Sequence, residues 1–245
     1  VANVPYYGEN TVAEHAFGLI LSLSRKIYKA YTRTTRLDFS LEGLRGFDLK
    51  GKTIGIVGAG RIGLHVVRIA KGFGMDVLVY DVRHEQLLAE VLGFSYVGFD
   101  ELLQRSDVIS LHAPLNKATH HMINSENIHL IKRGAILVNT ARGGLVETEA
   151  LITALNQGIL SGAGLDVFEG EETIKEDTAL LARRLPGEEL RDILLSYALL
   201  HRDNVVITPH IGFYSDEALR RIEETTVENI QGFIAGRKQN VVIAA

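Results

Sequence analysis

The chain has no cysteine among its 245 residues. That excludes a disulfide framework, a thiolate metal site and a thiol nucleophile, and it fits a reducing, cytoplasmic setting. Long apolar runs are lacking too. The longest, around Phe17 to Leu23, falls far short of the roughly 20 residues a membrane-spanning helix needs, so no membrane is expected. Neither sign of charge dominates: 26 basic residues face 30 acidic ones, for a net charge of -4. Such a balance points to neither nucleic acid nor an anionic surface as partner. No repeat beyond a strand–helix alternation and no low-complexity segment is seen. Apolar residues, by contrast, make up 46% of the chain, enough for a sizeable core in one large domain or one and a half. The start, Val1-Ala2-Asn3-Val4-Pro5, reads like the interior of a longer protein.

The most informative stretch is Gly58-Ala59-Gly60-Arg61-Ile62-Gly63. An apolar run, Thr53 to Val57, precedes it and a helical pattern, Leu64 to Lys71, follows. A second apolar run, Val77 to Tyr80, ends on an acid, Asp81. Strand, glycine turn, helix, strand and terminal acid in that order indicate dinucleotide binding. Gly58 allows the tight turn, Gly60 lets a pyrophosphate approach the backbone, and Gly63 lets the helix pack close to the sheet. The helix starting near Arg61 and Ile62 aims free N–H groups at the phosphates. Asp81 is placed to bind the ribose hydroxyls and to repel a 2′-phosphate, favouring NAD over NADP, with Arg83 nearby to soften the preference. The bland alternative is a glycine-rich turn without a ligand.

Around this motif, Thr11-Val12-Ala13-Glu14 forms a capping box opening a helix that is apolar nearly all round. Such a helix is buried between layers, domains or subunits. A basic tail, Arg25 to Arg36, reads as its solvated end, and residues 37–50 as a loop. Strands are expected at 108–111, 135–138, 163–167 and 205–208, with helices near Glu126 to Ile131, from Thr148 to Gln157, and from Ser215 to Gly236. Short strands apolar on both faces suit a parallel sheet covered on both sides, which binds ligands at the carboxyl ends of its strands. Polar residues collect there: His112-Ala113-Pro114, Asn139-Thr140-Ala141-Arg142, Asp166 with Glu169 and Glu171, and Pro209-His210. An arginine, an acid and a histidine thus converge where a nicotinamide would lie.

Together these segments resemble the D-isomer-specific 2-hydroxyacid dehydrogenase family. The resemblance rests on Gly58 to Gly63, Ser106 to Leu115, Val138 to Val146, Gly164 to Glu169 and Ile207 to His210, and runs through the chain. It implies a Rossmann-type, doubly wound parallel sheet. Residues 1–212 would form the NAD-binding domain with a linking or dimer helix over 11–36, and residues 213–245 a helix returning to a substrate domain whose N-terminal part is absent. It implies that Arg142 binds the 2-oxo acid, that His210 is the general acid/base, and that Glu171 orients it, with Glu169 as the competing acid. Asp166 would face the nicotinamide side, and Ala113, Pro114, Thr119, Thr140 and Ala141 would line the cofactor cleft beside Arg142 and His210.

The implied reaction is hydride transfer from NADH to a small 2-oxo acid, giving a D-2-hydroxy acid. Phe213 and Tyr214 after Ile211-Gly212 are similar to the D-lactate dehydrogenase branch, unless they merely pack between domains. Rival readings are a glyoxylate/hydroxypyruvate reductase, a phosphoglycerate dehydrogenase, and a non-enzymatic NAD-sensing corepressor. A homodimer is expected, on the buried helix from Thr11. His112 should matter through its backbone more than its ring. His120-His121 resembles a metal pair only superficially: adjacent residues face different ways and no carboxylate is spaced to join them, so no metal site is expected. His129 and His201 read as surface, and Arg183-Arg184, Glu188-Glu189 and Arg191-Asp192 as a solvated helix with paired charges.

Overall fold

The computed structural model describes residues 1–171 and 187–242. A parallel sheet forms its centre, with strands β1 (Thr53–Val57), β2 (Asp76–Tyr80), β3 (Ser95–Tyr96), β4 (Val108–Leu111), β5 (Ala135–Asn139), β6 (Leu160–Leu165) and β7 (Val205–Ile207). The order across the sheet is β3-β2-β1-β4-β5-β6-β7, and the pairings are parallel. The strand order reverses between β1 and β4, which opens a crevice at their carboxyl ends. β3, two residues long, is too short to leave a hydrophobic period in the sequence.

Alternation along each strand sorts side chains into two cores. On one face Ile54, Ile56, Val108, Ile136 and Val138 meet α1 (Glu9–Ser24) and α3 (Arg61–Gly72). On the other, Val57, Ile109, Leu111 and Leu137 meet α5 (Phe99–Arg105) and α6 (Thr148–Asn156). The remaining helices are α2 (Ile27–Thr34), α4 (Gln86–Leu92), α7 (Gly187–Leu200) and α8 (Asp216–Ile234). Removing a fully buried side chain such as Leu137 would cost about 2–5 kcal/mol.

The N-terminal helix differs from the sequence expectation. It starts at Glu9 with Gly8 as cap, and no side chain caps it. Thr11 instead contacts Ser215 Oγ at 3.3 Å, and Glu14 accepts a bond from Asn10. Nor does one helix cover residues 11–36: it breaks at Lys26, whose φ is +55°. The cause is the returning loop, in which the Phe47 amide takes the Ser24 carbonyl at 2.9 Å. α1 packs against α3, β5, β6 and β7, so its burial is explained within the chain and supplies no argument for a dimer.

The expected helix near Glu126 to Ile131 is a 3-10 turn at Ile128–Leu130. Asparagine side chains win over the helix there: Asn127 Oδ1 accepts the Asn124 amide, and Asn124 Oδ1 accepts the Glu126 amide. α8 begins as read, with Ser215 Oγ accepting the Ala218 amide at 3.2 Å. It packs on the N-terminal segment through Arg221 to the Tyr7 carbonyl and Asn229 to the Asn3 carbonyl. Arg183-Arg184 lies outside the described residues, while Arg191 pairs with Glu149 on α6. Among the described residues, no helix is long and apolar enough to cross a membrane.

Candidate active site

The glycine turn leaves β1 against the end of β4. Gly58 has φ +98°, and a Cβ there would sit 2.8 Å from the Ala113 amide nitrogen. At Gly63 a Cβ would lie 2.0 Å from the Gly58 carbonyl oxygen, so helix α3 seats on the turn only with glycine. Gly60 is different: a Cβ there would meet nothing within 4 Å. Its bareness matters only to something outside the protein.

Among the described residues no side chain caps α3, which leaves the first-turn amides of Arg61, Ile62 and Gly63 to a ligand. The Arg61 side chain itself turns aside, stacking 3.5 Å over Tyr6 and lying 3.6 Å from Glu9. Asp81 braces the turn: Oδ2 accepts the Ala59 amide at 2.6 Å and Oδ1 the Arg83 amide at 2.8 Å.

Beside the turn lies a cleft of about 580 Å³ at the carboxyl ends of β4 to β7. Ile62, Ala113, Pro114, Thr140, Ala141, Arg142, Asp166 and His210, all expected from the sequence, line it. Thr119 does not. Its hydroxyl is used within its own loop, donating to the Pro114 carbonyl at 2.6 Å and accepting the Asn116 amide at 2.8 Å.

Arg142 is exposed in the cleft, with Nη1 donating to the Ala141 carbonyl at 2.6 Å. Asn139, 1% exposed at the end of β5, shapes its turn. The Asn139 side chain accepts the Ala141 amide at 3.0 Å and donates to the Arg142 carbonyl at 2.8 Å.

His210 follows β7 with φ +57°, a left-handed conformation that costs about 1–2 kcal/mol outside glycine. Its Nδ1 lies 3.0 Å from Glu171 Oε1. Glu169 is not the partner. It binds His121 Nε2 at 2.6 Å, and its Oε2 accepts the Thr148 amide and hydroxyl at 3.1 and 2.8 Å, opening α6.

This geometry corrects the reading of His120-His121. His121 has φ +49°, which swings its ring onto that of His120, with centroids 3.9 Å apart. Glu169, distant in sequence, joins the pair, and one ligand atom of each lies within 4.8 Å of the others.

Asp166 is 1% exposed and acts as a bracket. Its Oδ1 accepts the Thr208 hydroxyl at 2.6 Å and the Ile211 amide at 3.0 Å, and its Oδ2 the Gly212 amide at 2.8 Å. Burial pushes this carboxyl up, but hydrogen bonds from His15, Thr208, Gly212 and Ile211 outweigh it and hold the group at about 2. Burial pushes the His112 imidazole down to about 4, so it is neutral at pH 7. Its Nε2 lies 2.8 Å from Ser110 Oγ, and its amide donates to the Val57 carbonyl at 2.7 Å, beside Gly58.

Tyr7, Val12 and His15 are site neighbours that the sequence motifs do not mark. Tyr7 and Val12 line the cleft, and Tyr7 meets Phe213 edge-to-face at 6.1 Å. They lie far from the strand-end motifs in sequence, and no spacing signals them. His15 stands among the apolar residues of α1, with Ala13 before it and Ala16 and Phe17 after it, and that placement is its only signal in the sequence.

The residues present fit a dinucleotide. Among the described residues, nothing fills the space at Gly60, no side chain caps the start of α3, and Thr140 Oγ1 is buried at the cleft without a hydrogen-bond partner. Known proteins agree. Residues 17–212 match the model of the family described as D-isomer specific 2-hydroxyacid dehydrogenase, NAD binding domain. The chain is similar to "2-hydroxyacid dehydrogenase homolog 2" of Schizosaccharomyces pombe, 40% identical over 245 residues, which cover 100% of this chain and 71% of the relative. It is similar to the "Aromatic 2-oxoacid reductase" of Clostridium sporogenes, 42% identical over 234 residues, 95% of this chain and 68% of the relative. The crystal structure of D-lactate dehydrogenase from Aquifex aeolicus, complexed with NAD and lactic acid, superposes with a TM-score of 0.88 at 43% identity, covering 96% of this chain and 69% of that one. Strand order, glycine turn and these likenesses agree: the chain belongs to the D-isomer specific 2-hydroxyacid dehydrogenase family, as a Rossmann-type NAD-binding domain.

Proposed function

We propose that this cleft reduces a small 2-oxo acid to a D-2-hydroxy acid, with pyruvate and D-lactate the favoured pair. The observation that carries the reading is the meeting of Arg142 with the His210–Glu171 pair at one cleft beside the glycine turn. The planar fork of Arg142 suits a carboxylate bidentately and polarises the neighbouring carbonyl. With Nδ1 engaged by Glu171, His210 has Nε2 left to give its proton to the carbonyl oxygen as negative charge develops there. Glu171 compensates the charge of the protonated ring. Gly58, Gly60, Gly63 and the amides of Arg61 and Ile62 would hold the pyrophosphate, Asp81 the ribose, and Ala113, Pro114, Thr140, Ala141 and Asp166 the nicotinamide half. NADH, when bound, supplies the hydride.

The substrate assignment draws on the wall formed by Tyr7, Val12 and Phe213, which suits an apolar group better than a phosphate. A second reading, an aromatic 2-oxo acid, draws on the Tyr7–Phe213 contact and the Clostridium relative. Glyoxylate, hydroxypyruvate and a phosphorylated acid complete the test panel. NADH consumption should be followed with this chain and with the complete open reading frame that encodes it. Turnover of pyruvate above the other acids supports the first reading, and phenylpyruvate leading supports the second. NADH binding without turnover of any acid by either polypeptide supports a corepressor-like sensor instead.

The homodimer stays in this reading on another footing than α1. Ile27, Tyr31, Leu37, Phe39 and Leu41 are all more than half exposed along one short stretch, a surface that a second copy would cover. Sedimentation should then give twice the 27.0 kDa of the chain, and a single chain's mass at micromolar concentration would end the idea. The division near residue 212 into nucleotide domain and returning helix is likewise part of the proposal.

A further inference from the structure

We propose that His15 is a positioning residue for His210, acting through the Asp166 carboxylate and the loop it holds. The inference rests on the reading of the site given above. His15 sits half-buried on α1, a helix whose buried positions are apolar apart from Ser24. Its ring does not complete that apolar surface. Nε2 points at Thr208 Oγ1, 2.9 Å away, and at Asp166 Oδ1, 3.3 Å away.

The protons on this cluster can be assigned by elimination. Thr208 has one hydroxyl proton and lies 2.6 Å from Asp166 Oδ1. A carboxylate only accepts, so the Thr208 proton goes to Asp166. Thr208 then has only lone pairs to offer His15, and Nε2 of His15 must carry its own proton. That N–H is shared between the Thr208 hydroxyl oxygen and the Asp166 carboxylate.

The same carboxylate holds the loop bearing His210. The His210 amide donates to the Asp166 carbonyl at 3.0 Å. The Ile211 and Gly212 amides donate to Oδ1 and Oδ2 at 3.0 and 2.8 Å. Three consecutive amides are therefore fixed by one residue, at the point where His210 takes its left-handed conformation. A buried carboxylate needs such donors to stay charged, and His15 is the only ionisable one among these contacts. The loop runs close to both side chains: a Cβ at Gly212 would stand 2.8 Å from Asp166 Oδ2 and 3.4 Å from His15 Cδ2, an approach that glycine permits.

The test compares His15→Leu, which fills the space without a donor, with His15→Gln, whose amide nitrogen reaches about as far as Nε2. With pyruvate as substrate, His15→Leu should lower kcat about 10- to 100-fold, as expected when a catalytic group is misplaced. NADH affinity should stay within about twofold and the KM for pyruvate within about threefold, and His15→Gln should recover most of kcat. A packing role gives the opposite order, with the apolar variant better than the polar one, and would overturn the proposal.

A second readout is independent of turnover. In the NADH-loaded chain, the Ile211 and Gly212 amide proton shifts should move upfield in His15→Leu and hold in His15→Gln. Unmoved amides in His15→Leu overturn this inference alone. Absence of turnover in the wild type, with the amides moved as expected, overturns the proposed function and leaves the positioning role standing. Should His15→Leu fail to fold, His15→Asn takes its place. Its amide is too short to reach Asp166, so wild-type kcat and wild-type amide shifts in that variant would overturn the proposal.

Discussion

Nδ1 of His210 lies 3.0 Å from Oε1 of Glu171, while Glu169, two residues earlier, turns its carboxylate to His121 and Thr148. One acid serves the cleft and the other the scaffold. Glu171→Gln should lower turnover by about 10- to 100-fold, because the protonated ring loses its charged partner, and leave NADH affinity and thermal stability nearly unchanged. Glu169→Gln should keep turnover and lose about 1–2 kcal/mol of stability with the helix start it caps. Steady-state kinetics and thermal unfolding of both variants check the division, and a reversed pattern would exchange the two roles.

Arg142 is exposed in the cleft, its turn held by Asn139. Arg142→Lys keeps the charge and loses the fork. About 3 kcal/mol is expected to go with the two charge-assisted bonds, roughly a hundredfold in kcat/KM for the oxo acid. NADH titration by fluorescence should give a wild-type dissociation constant. A kcat/KM within a few-fold of wild type would remove Arg142 from substrate binding.

The two glycines that flank the start of α3 should separate folding from binding. Gly63→Ala puts a Cβ 2.0 Å from the Gly58 carbonyl oxygen, and a forced shift of this kind costs about 1–3 kcal/mol or more. Gly60→Ala meets nothing within 4 Å in the protein and should unfold like wild type. Its NADH affinity should nevertheless drop by about tenfold or more, since the methyl enters the space the pyrophosphate needs. Urea unfolding beside NADH titration reads both effects.

Acid should destabilise the fold in two stages. His112, lowered from 6.5 to about 4, is bound by fewer protons folded than unfolded between those values. Stability therefore falls as pH drops from 6.5 towards 4 and then levels for this group. Asp166, lowered from 3.8 to about 2, contributes fully above its ordinary value. That contribution, about 2 kcal/mol, is lost as pH falls through 4 towards 2. Urea unfolding across pH 2–7 should show the upper stage flattened in His112→Gln and the lower one flattened in Asp166→Asn.

Much of this arrangement was legible in the sequence, because the strand–turn–helix order around Gly58 to Gly63 is local. Strands such as 108–111 carried a local apolar signal as well. The strand-end residues Arg142, Asp166 and His210 could be placed because each follows an apolar run. What sequence could not give were contacts that depend on backbone handedness or long-range approach. His121 turns onto His120 through a positive φ. Glu169 reaches His121 across 48 positions, and His15 meets Asp166 across the whole sheet domain. The helix expected over 11–36 broke where a loop residue took the Ser24 carbonyl, a competition invisible to helical periodicity.

In the proposed reaction Arg142, His210 and Glu171 reduce a 2-oxo acid from one cleft. The most direct measurement is a chiral analysis of the product made from pyruvate and NADH by the complete open reading frame, with wild type beside His210→Gln. D-lactate in one-to-one ratio with NADH consumed, and its near disappearance in His210→Gln, is the expected result. L-lactate, or an equal yield from His210→Gln, would contradict it.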